Sequence, residues 1–419
     1  MACFPAPERK SRKEKAADLT VVALLMIGAF YGGSAAYRYL SPQQAFRQAI
    51  DSITAKVEVQ AFHPGQSVPY ATRTTPNDLM TDNFNDLMLG IFTNSPAGGA
   101  VIIPQPWKNT LGTAESDYIW STTTYYGFTT TNGVAACGAS TAECGGRLSI
   151  GNSYSTPTRT DTQITTILGA WFNAASSTCN TGATDSVVVS GSVVTGSTSN
   201  TPGLQEAGLY IYGYSAGASS REGYLLAHDI FTPAIAETSG DTVTVTYTLS
   251  LNAVGITTNF CYLLAALIAP ITANSANVDQ NTVGLVSVGG GTTTFGVWCG
   301  MGTVGVLTTT TNCGAAYSSN DVFMGIGTGS GGTPPTFTPA SHNLASQYAT
   351  ATAQVASYTS ATGVVALTYT FTLGSTQTIN EAGLFLILSS TNFAFFLISF
   401  TGQTFASSTA TGISMELTD

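Results

Sequence analysis

The sequence predicts a mainly β protein with an N-terminal membrane anchor and two tandem antiparallel sandwich domains. Three observations support this prediction: a short motif that occurs twice, strands that alternate apolar and hydroxyl residues, and an uncharged segment behind a basic tail. Alternation with a period of two is typical of strands that bury one face and expose the other.

The repeated motif reads Leu-Gln-Glu-Ala-Gly-Leu-Tyr at Leu204–Tyr210 and Ile-Asn-Glu-Ala-Gly-Leu-Phe at Ile379–Phe385. An alternating strand pattern precedes and follows each copy, at Ser186–Val194 and Thr242–Leu251 for the first and at Val364–Leu373 and Thr411–Leu417 for the second. The same elements in the same order predict a duplicated β domain.

Five regions follow from this pattern. They are a basic tail (1–18), a transmembrane helix (19–37), a stalk helix with a linker strand (38–73), a first sandwich domain (74–253) and a second (254–419). We expect each sandwich to be of the jelly-roll or immunoglobulin-like kind.

The segment Leu19–Tyr37 contains no charged residue. As a helix it would span about 28 Å, close to the thickness of a bilayer core. Basic residues before it and an acidic chain after it predict that the tail stays inside and the bulk lies outside. Two alternatives stay open: a signal peptide cleaved near Ser34-Ala35-Ala36, and a pilin-type leader at Lys15-Ala16-Ala17.

The region after the span begins with Ser41-Pro42, a favourable helix start. Ala45, Phe46, Ala49, Ile50 and Ile53 then follow at helical spacing, which predicts the stalk helix. Val57, Val59 and Ala61 alternate with polar residues, so a strand is expected next. That strand either opens the first domain or pairs with another subunit.

Charge is scarce, at 9% of residues, and unevenly distributed. Eight of the thirteen Lys and Arg residues lie at or before Lys56, and the chain from Val57 onward has five against nineteen Asp and Glu. Since phosphate binding needs clustered Lys and Arg, we exclude sequence-specific nucleic-acid binding. The composition favours an extracellular setting.

Six of the seven cysteines follow the apolar segment, and none forms a Cys-x-x-Cys pair. An even set outside the cytoplasm predicts disulfides rather than a zinc site. The short spacings favour Cys137–Cys144 and Cys299–Cys313, which leaves Cys179 with Cys261.

Glu206 and Glu381 hold the same place in the two motifs, each directly before Ala-Gly. The favoured interpretation is a carboxylate that accepts hydrogen bonds from amides of the preceding turn, and a calcium ligand is the weaker alternative. The glycine indicates a bulge or a close approach of another chain segment. Asp78, Asp82 and Asp86 would share one helical face, which we interpret as solvated. No motif predicts a catalytic residue or a cofactor.

The order of strand, Gly-rich turn and proline, followed by the Glu-Ala-Gly-Leu-aromatic strand, resembles β-sandwich modules of tailed-phage appendage proteins. This likeness covers Leu148–Leu251 and Phe323–Leu417. The membrane anchor is more similar to vertex or turret proteins of membrane-containing icosahedral archaeal viruses. The resemblance implies a structural role in a virion and no catalytic residue.

The sequence therefore favours a non-enzymatic, membrane-anchored, multimeric component of a virion surface. Its expected partners are copies of itself, other virion or envelope proteins and, through Leu19–Tyr37, a lipid bilayer. The alternatives are a subunit of an archaeal extracellular filament or envelope, and a secreted adhesin.

Overall fold

The computed structural model describes residues 46–50, 53–75, 80–92, 107–112, 114–115, 145–168, 172–196, 203–214, 221–251, 255–269, 282–296, 302–303, 322–352, 354–388 and 390–418. The tail and the span Leu19–Tyr37 lie outside these ranges. Neither helix within them combines the length and the apolarity that crossing a bilayer requires.

The described helices are α1 (Asp82–Phe92) and α2 (Thr258–Ile268). The strands are β1 (Phe46–Ile50), β2 (Thr54–Phe62), β3 (Ala71–Thr74), β4 (Trp107–Lys108), β5 (Ala114–Glu115), β6 (Gly145–Gly151), β7 (Phe172–Asn173), β8 (Ser176–Asn180), β9 (Asp185–Val194), β10 (Leu204–Tyr214), β11 (Arg221–Ile235), β12 (Thr242–Leu251), β13 (Thr282–Val286), β14 (Thr292–Gly296), β15 (Gly302–Thr303), β16 (Val322–Gly327), β17 (Gln347–Ala351), β18 (Gln354–Thr359), β19 (Val364–Thr372), β20 (Gln377–Leu388), β21 (Thr391–Phe405) and β22 (Ala410–Thr418). The prediction of a mainly β, antiparallel protein is confirmed.

Two modules with matching sheets account for most of these elements. Module 1 contains α1 and the sheets β3-β2-β12-β9-β8 and β11-β10-β6-β7, whereas module 2 contains α2 and the sheets β1-β22-β19-β18 and β17-β16-β20-β21. Small sheets, β4-β5 and β13-β14-β15, lie beside them. Strand β12 has the predicted bounds and buries every second residue, from Val243 to Leu251.

The sheets of module 1 pack face to face, and a glycine makes the close approach possible. A Cβ atom on Gly191 of β9 would lie 2.7 Å from the Asn173 carbonyl oxygen and 2.9 Å from Leu148 Cδ1. Real Cβ atoms do not approach this closely, so the residue at this position has to be glycine.

Both helices begin with the same contacts, which supports the duplication. Asn83 exchanges two hydrogen bonds of 2.9 Å with the backbone of Lys108, and Asn259 exchanges two of 2.8 Å with the backbone of Val286. In each case an asparagine side chain near the helix start holds a neighbouring small sheet.

The two modules share one hydrophobic core. Helix α1 contacts β11 of its own module and β18 and β19 of module 2, while α2 contacts β21 of its own module and β8 and β9 of module 1. Rings from both helices meet at the centre, with centroids 5.9 Å apart for Phe92 and Phe260 and 5.1 Å apart for Phe92 and Phe396. One buried cluster includes residues of both modules.

The predicted stalk helix is wrong where it falls on described residues. Residues 46–50 form strand β1, which pairs in parallel with β22 from Phe46↔Ile413 to Ile50↔Leu417. A segment this short gains little from helical propensity, so pairing with the free edge of β22 decides its conformation. Residues 41–45 lie outside the described part.

The described part of the region assigned to a stalk helix and a linker strand, 38–73, contributes strands β1, β2 and most of β3 to the sheets. Strand β2 pairs with β12 and with β3, so it opens module 1, as one of the two alternatives proposed. Since β1 joins module 2, only residues 51–53 separate the strands that enter the two modules.

Candidate functional site

Glu206 and Glu381 lie on the central strands β10 and β20 at matching points. Each faces a glycine on the neighbouring strand, Gly151 on β6 and Gly327 on β16. Both glutamates are fully buried. A Cβ atom on either glycine would clash with the glutamate Oε1 atom, so the glycine gives the carboxylate room to lie across the partner strand.

Three backbone amides donate to each carboxylate. Glu206 Oε1 accepts from Thr166 at 2.8 Å and from Ser153 at 3.3 Å, and Oε2 accepts from Thr165 at 2.9 Å. These donors give both oxygens of the buried carboxyl group hydrogen-bond partners.

Glu381 repeats this arrangement in module 2. Its Oε1 accepts from Ser346 at 2.7 Å and from Gly329 at 3.1 Å, and its Oε2 accepts from Ala345 at 2.8 Å. The predicted carboxylate–amide contact is therefore present in both copies. Its donors differ from the prediction, because they come from loops that follow β6 and β16 rather than from the turn before each motif.

This geometry does not fit a calcium ion at Glu206 or Glu381. The carboxylate oxygens face N–H groups, whose partial positive charges repel a cation. A calcium ion, which takes six to eight oxygen ligands, would have to displace these donors.

The glycine of each motif accommodates the aromatic ring two residues further along. A Cβ on Gly208 would lie 2.7 Å from Tyr210 Cε2, and a Cβ on Gly383 would lie 2.8 Å from Phe385 Cε2. The motif Glu-Ala-Gly-Leu-aromatic is thereby explained: its glutamate binds the loop, its glycine makes space, and its ring covers the glycine.

His228 distinguishes the first site from the second. It lies on β11 opposite Gly208, is 2% exposed, and joins two carboxylates. Its Nε2 atom lies 3.2 Å from Glu206 Oε2 and its Nδ1 atom 2.7 Å from Asp161 Oδ2. The burial of His228 lowers its pKa, but the hydrogen bonds and charges of Glu206 and Asp161 outweigh this effect, and the pKa is raised above its ordinary value.

Asp161 belongs to the loop that His228 binds. Its carboxylate also accepts from the Thr158 amide at 2.9 Å and from Thr158 Oγ1 at 2.6 Å. Loop 152–168 is thus held to the sheet by backbone donors at Glu206 and by the imidazole between the two carboxylates. We name Asp161, Glu206 and His228 the histidine clamp.

In module 2 the positions of His228 and Asp161 carry uncharged residues. Leu397 lies opposite Gly383 as His228 lies opposite Gly208. Ser341 takes the place of Asp161, accepting a hydrogen bond from the Thr338 amide at 3.0 Å. Sequence reasoning found the glutamates through the repeat but missed His228 and Asp161, because neither occurs in both copies.

A second polar cluster lies where the loops after β2 and β11 meet. The buried Asp241 carboxylate contacts His63 Nδ1 at 3.0 Å and accepts from Tyr70 Oη at 2.8 Å. Its burial alone would raise its pKa, but hydrogen bonds from Thr238, His63 and Tyr70 lower the pKa of Asp241 to about 2. Burial and Asp241 raise the pKa of Tyr70. This cluster holds the two loops of module 1 together. No sequence pattern predicted it.

The contact between modules contains a disulfide on one side and hydrogen bonds on the other. Cys179 of β8 and Cys261 of α2 form a disulfide with an S–S distance of 2.08 Å, the pair left over in the sequence-based scheme. At the matching positions of α1 and β18, Asn85 Nδ2 donates to Tyr358 Oη at 3.3 Å. Cys137, Cys144, Cys299 and Cys313 lie outside the described residues.

The carboxylates of α1 do not form the solvated face that was expected. Asp82 accepts hydrogen bonds from Tyr358 and Ser360 of module 2, and Asp86 is 2% exposed. Burial, followed by the charge of Asp82, raises the pKa of Asp86 to about 8. Asp78 lies outside the described residues.

Comparisons with protein-family models, with curated proteins and with solved structures give no match to this chain. The functional argument therefore rests on the chain itself.

Proposed function

We propose that this chain is a non-enzymatic structural protein of a virion surface, anchored in a membrane by Leu19–Tyr37 and assembled in several copies. In this proposal the basic tail lies inside, and the two modules stand outside as a pair of sandwiches of jelly-roll or immunoglobulin-like kind. Its partners are copies of itself and other virion or envelope proteins.

The observation that best supports the proposal is how the N-terminal chain enters the folded body. Strand β1 is bonded along β22 of module 2, and β2 is bonded along β12 of module 1. A load applied through the N-terminal segment therefore meets first the ladder of β1 with β22 and then that of β2 with β12. Such an attachment suits a body that is tethered to a membrane by its N-terminus.

The shared core and the disulfide at the contact between modules agree with this role. Because α1 and α2 each pack on the other module, separating the modules would expose both helices. The Cys179–Cys261 bridge adds a covalent link between α2 and module 1. Such a body resists mechanical and chemical stress outside a cell.

The alternative is a subunit of an archaeal cell-surface filament or envelope, which the pilin-like sequence Lys15-Ala16-Ala17 favours. The two functions differ in the mature N-terminus. Mass spectrometry of purified particles distinguishes them. Retained residues 1–15 support the virion protein, whereas a chain that starts at Ala16 or beyond supports the filament subunit.

Membrane attachment can be tested by vesicle flotation of the full-length chain. We expect the wild-type protein to float with vesicles as a multimer and Leu25→Arg/Ile27→Arg to remain at the bottom of the gradient, since arginine in a bilayer core is costly. Val68→Arg/Val194→Arg is the matched control, because these side chains are 75% and 65% exposed on module 1. A wild-type chain that is monomeric and soluble without detergent refutes the anchored multimer.

A further inference from the structure

Three metal-ligating side chains meet where α2 of module 2 contacts module 1. They are Cys179 on β8, Asp185 at the start of β9 and Cys261 on α2, and their ligand atoms all lie within 4.8 Å of one another. Among the described residues this is the one cluster of three or more His, Cys, Asp and Glu side chains with such spacing.

Strand pairing and the helix start bring the three together. Strands β8 and β9 are neighbours, with Cys179 opposite Val187, so the beginning of β9 lies close to Cys179. Asp185 Oδ2 accepts a hydrogen bond of 2.8 Å from Thr258 Oγ1 in the first turn of α2, and Cys261 lies one turn further along. The positive end of a helix dipole favours a carboxylate and a thiolate at this position.

We propose that, once the Cys179–Cys261 disulfide is reduced, the two thiolates and the Asp185 carboxylate bind one zinc ion. A dithiol reductant supplies two electrons, the S–S bond breaks, two thiols form, and the reductant becomes a disulfide. Binding of the metal then releases the two thiol protons. The two sulfur atoms either form the disulfide or bind the metal, and one excludes the other.

The ligand set and the access route both suit zinc. Zinc accepts thiolate and carboxylate ligands at about 2.0–2.3 Å in a tetrahedron, which puts neighbouring ligand atoms less than about 4 Å apart. A cavity of about 270 Å³, lined by Cys179, Tyr262, Ala265 and Ala266 among others, opens beside Cys179. It gives a reductant access to the disulfide from the Cys179 side, and a water would complete the four ligands of a bound zinc ion.

Such a site would hold the modules together before oxidation. A chain synthesised in a reducing compartment lacks the disulfide, and zinc would then bridge α2 to β8 and β9. Oxidation on the outside would release the metal and form the covalent link. The two states would keep the contact between modules closed in both environments.

The test uses cobalt(II) as a spectroscopic probe on the reduced full-length protein. We expect one equivalent of cobalt to give thiolate-to-metal charge-transfer absorption, which zinc then abolishes. Cys179→Ser/Cys261→Ser should lose this absorption. The difference in absorption between the wild type and this variant reports cobalt bound at Cys179 and Cys261, because the other cysteines are the same in both. The oxidised wild-type protein should lose it as well.

Asp185→Asn distinguishes a three-ligand site from a bare thiol pair. It should weaken cobalt binding about tenfold or more, whereas Asp82→Asn, which alters the matching end of α1, should leave it unchanged. Disulfide formation in oxidised Asp185→Asn verifies that its fold is intact. Equal cobalt absorption in the wild type and the double serine variant, or unchanged affinity in Asp185→Asn, overturns the proposal.

Discussion

Replacing His228 by leucine tests whether the histidine clamp stabilises the fold through its charge. The substitution copies module 2, where Leu397 occupies the matching position. It removes two hydrogen bonds to carboxylates, each of which contributes about 1.5–3 kcal/mol. The hydrogen bond to Asp161 contributes less to the free energy of unfolding, since that side chain is 24% exposed and solvent screens its charge. We expect a loss of about 2–3 kcal/mol in the free energy of unfolding near pH 6.

The effect should depend on pH in a defined direction. The folded-state pKa of His228 is raised above the unfolded value of about 6.5. The folded state therefore binds the proton more tightly, and the stabilisation is complete below about pH 6.5 and declines as the pH rises through the folded pKa. The difference between wild type and His228→Leu should shrink along the same range.

Urea denaturation between pH 5.5 and 9 measures this difference. Asp161→Ser/His228→Leu reproduces the residues of module 2 and should show the same dependence of stability on pH as the single variant. His342→Gln, which changes a histidine outside the clamp, serves as the control and should keep the wild-type slope. A difference between wild type and His228→Leu that does not vary with pH would refute the charged clamp.

Three further predictions concern the other buried polar groups. Glu206→Gln and Glu381→Gln should each lower the free energy of unfolding by roughly 2–4 kcal/mol, because an NH₂ group would face amide donors. The control Glu58→Gln, on the outer face of β2, should change the free energy of unfolding by less than about 0.5 kcal/mol. A similar effect at all three positions would contradict the reasoning. The stability of the wild type should decline between about pH 4 and pH 8, since the folded pKa of Asp86, about 8, lies above the unfolded value, and Asp86→Asn should remove this decline. Urea titrations at both ends of the range test this. An unchanged dependence of the free energy of unfolding on pH is the adverse result. Asn85→Cys/Tyr358→Cys should form a disulfide between modules at the positions that match Cys261 and Cys179, and non-reducing peptide mapping would detect it. Free thiols at both positions in the oxidised, folded variant would disprove the equivalence.

The elements that recur could be predicted from the sequence. Strand β12 has the predicted bounds, β9, β19 and β22 match within one residue at each end, and the repeated motif lies on the paired strands β10 and β20. Alternation of buried apolar residues with more exposed ones, at a period of two, indicates these strands locally, so no tertiary information is needed.

The elements that depend on distant partners could not be predicted. The segment Phe46–Ile50 has helical spacing, yet its conformation is decided by the edge of β22 at the other end of the chain. Asp86 has the position of a solvated residue on an isolated helix, and it is buried because α1 is enclosed by strands of both modules. His228 and Asp161 are separated from Glu206 by loops whose path the pattern does not specify.

The differences between the two modules indicate which contacts the fold requires. Each copy keeps a buried glutamate, a facing glycine and three amide donors, so this unit is the common device that holds the covering loop to the sheet. The surrounding groups differ: the His228 imidazole, between two carboxylates, secures the loop of module 1, whereas Leu397 at the matching position joins the apolar cluster that contains Leu344 of the module 2 loop. The contact between modules differs in the same way, with a disulfide on one side and Asn85–Tyr358 on the other. Because only one side of that contact is covalent, reduction in the absence of zinc should loosen the packing of α2 on β8 and β9 and leave that of α1 on β18 intact.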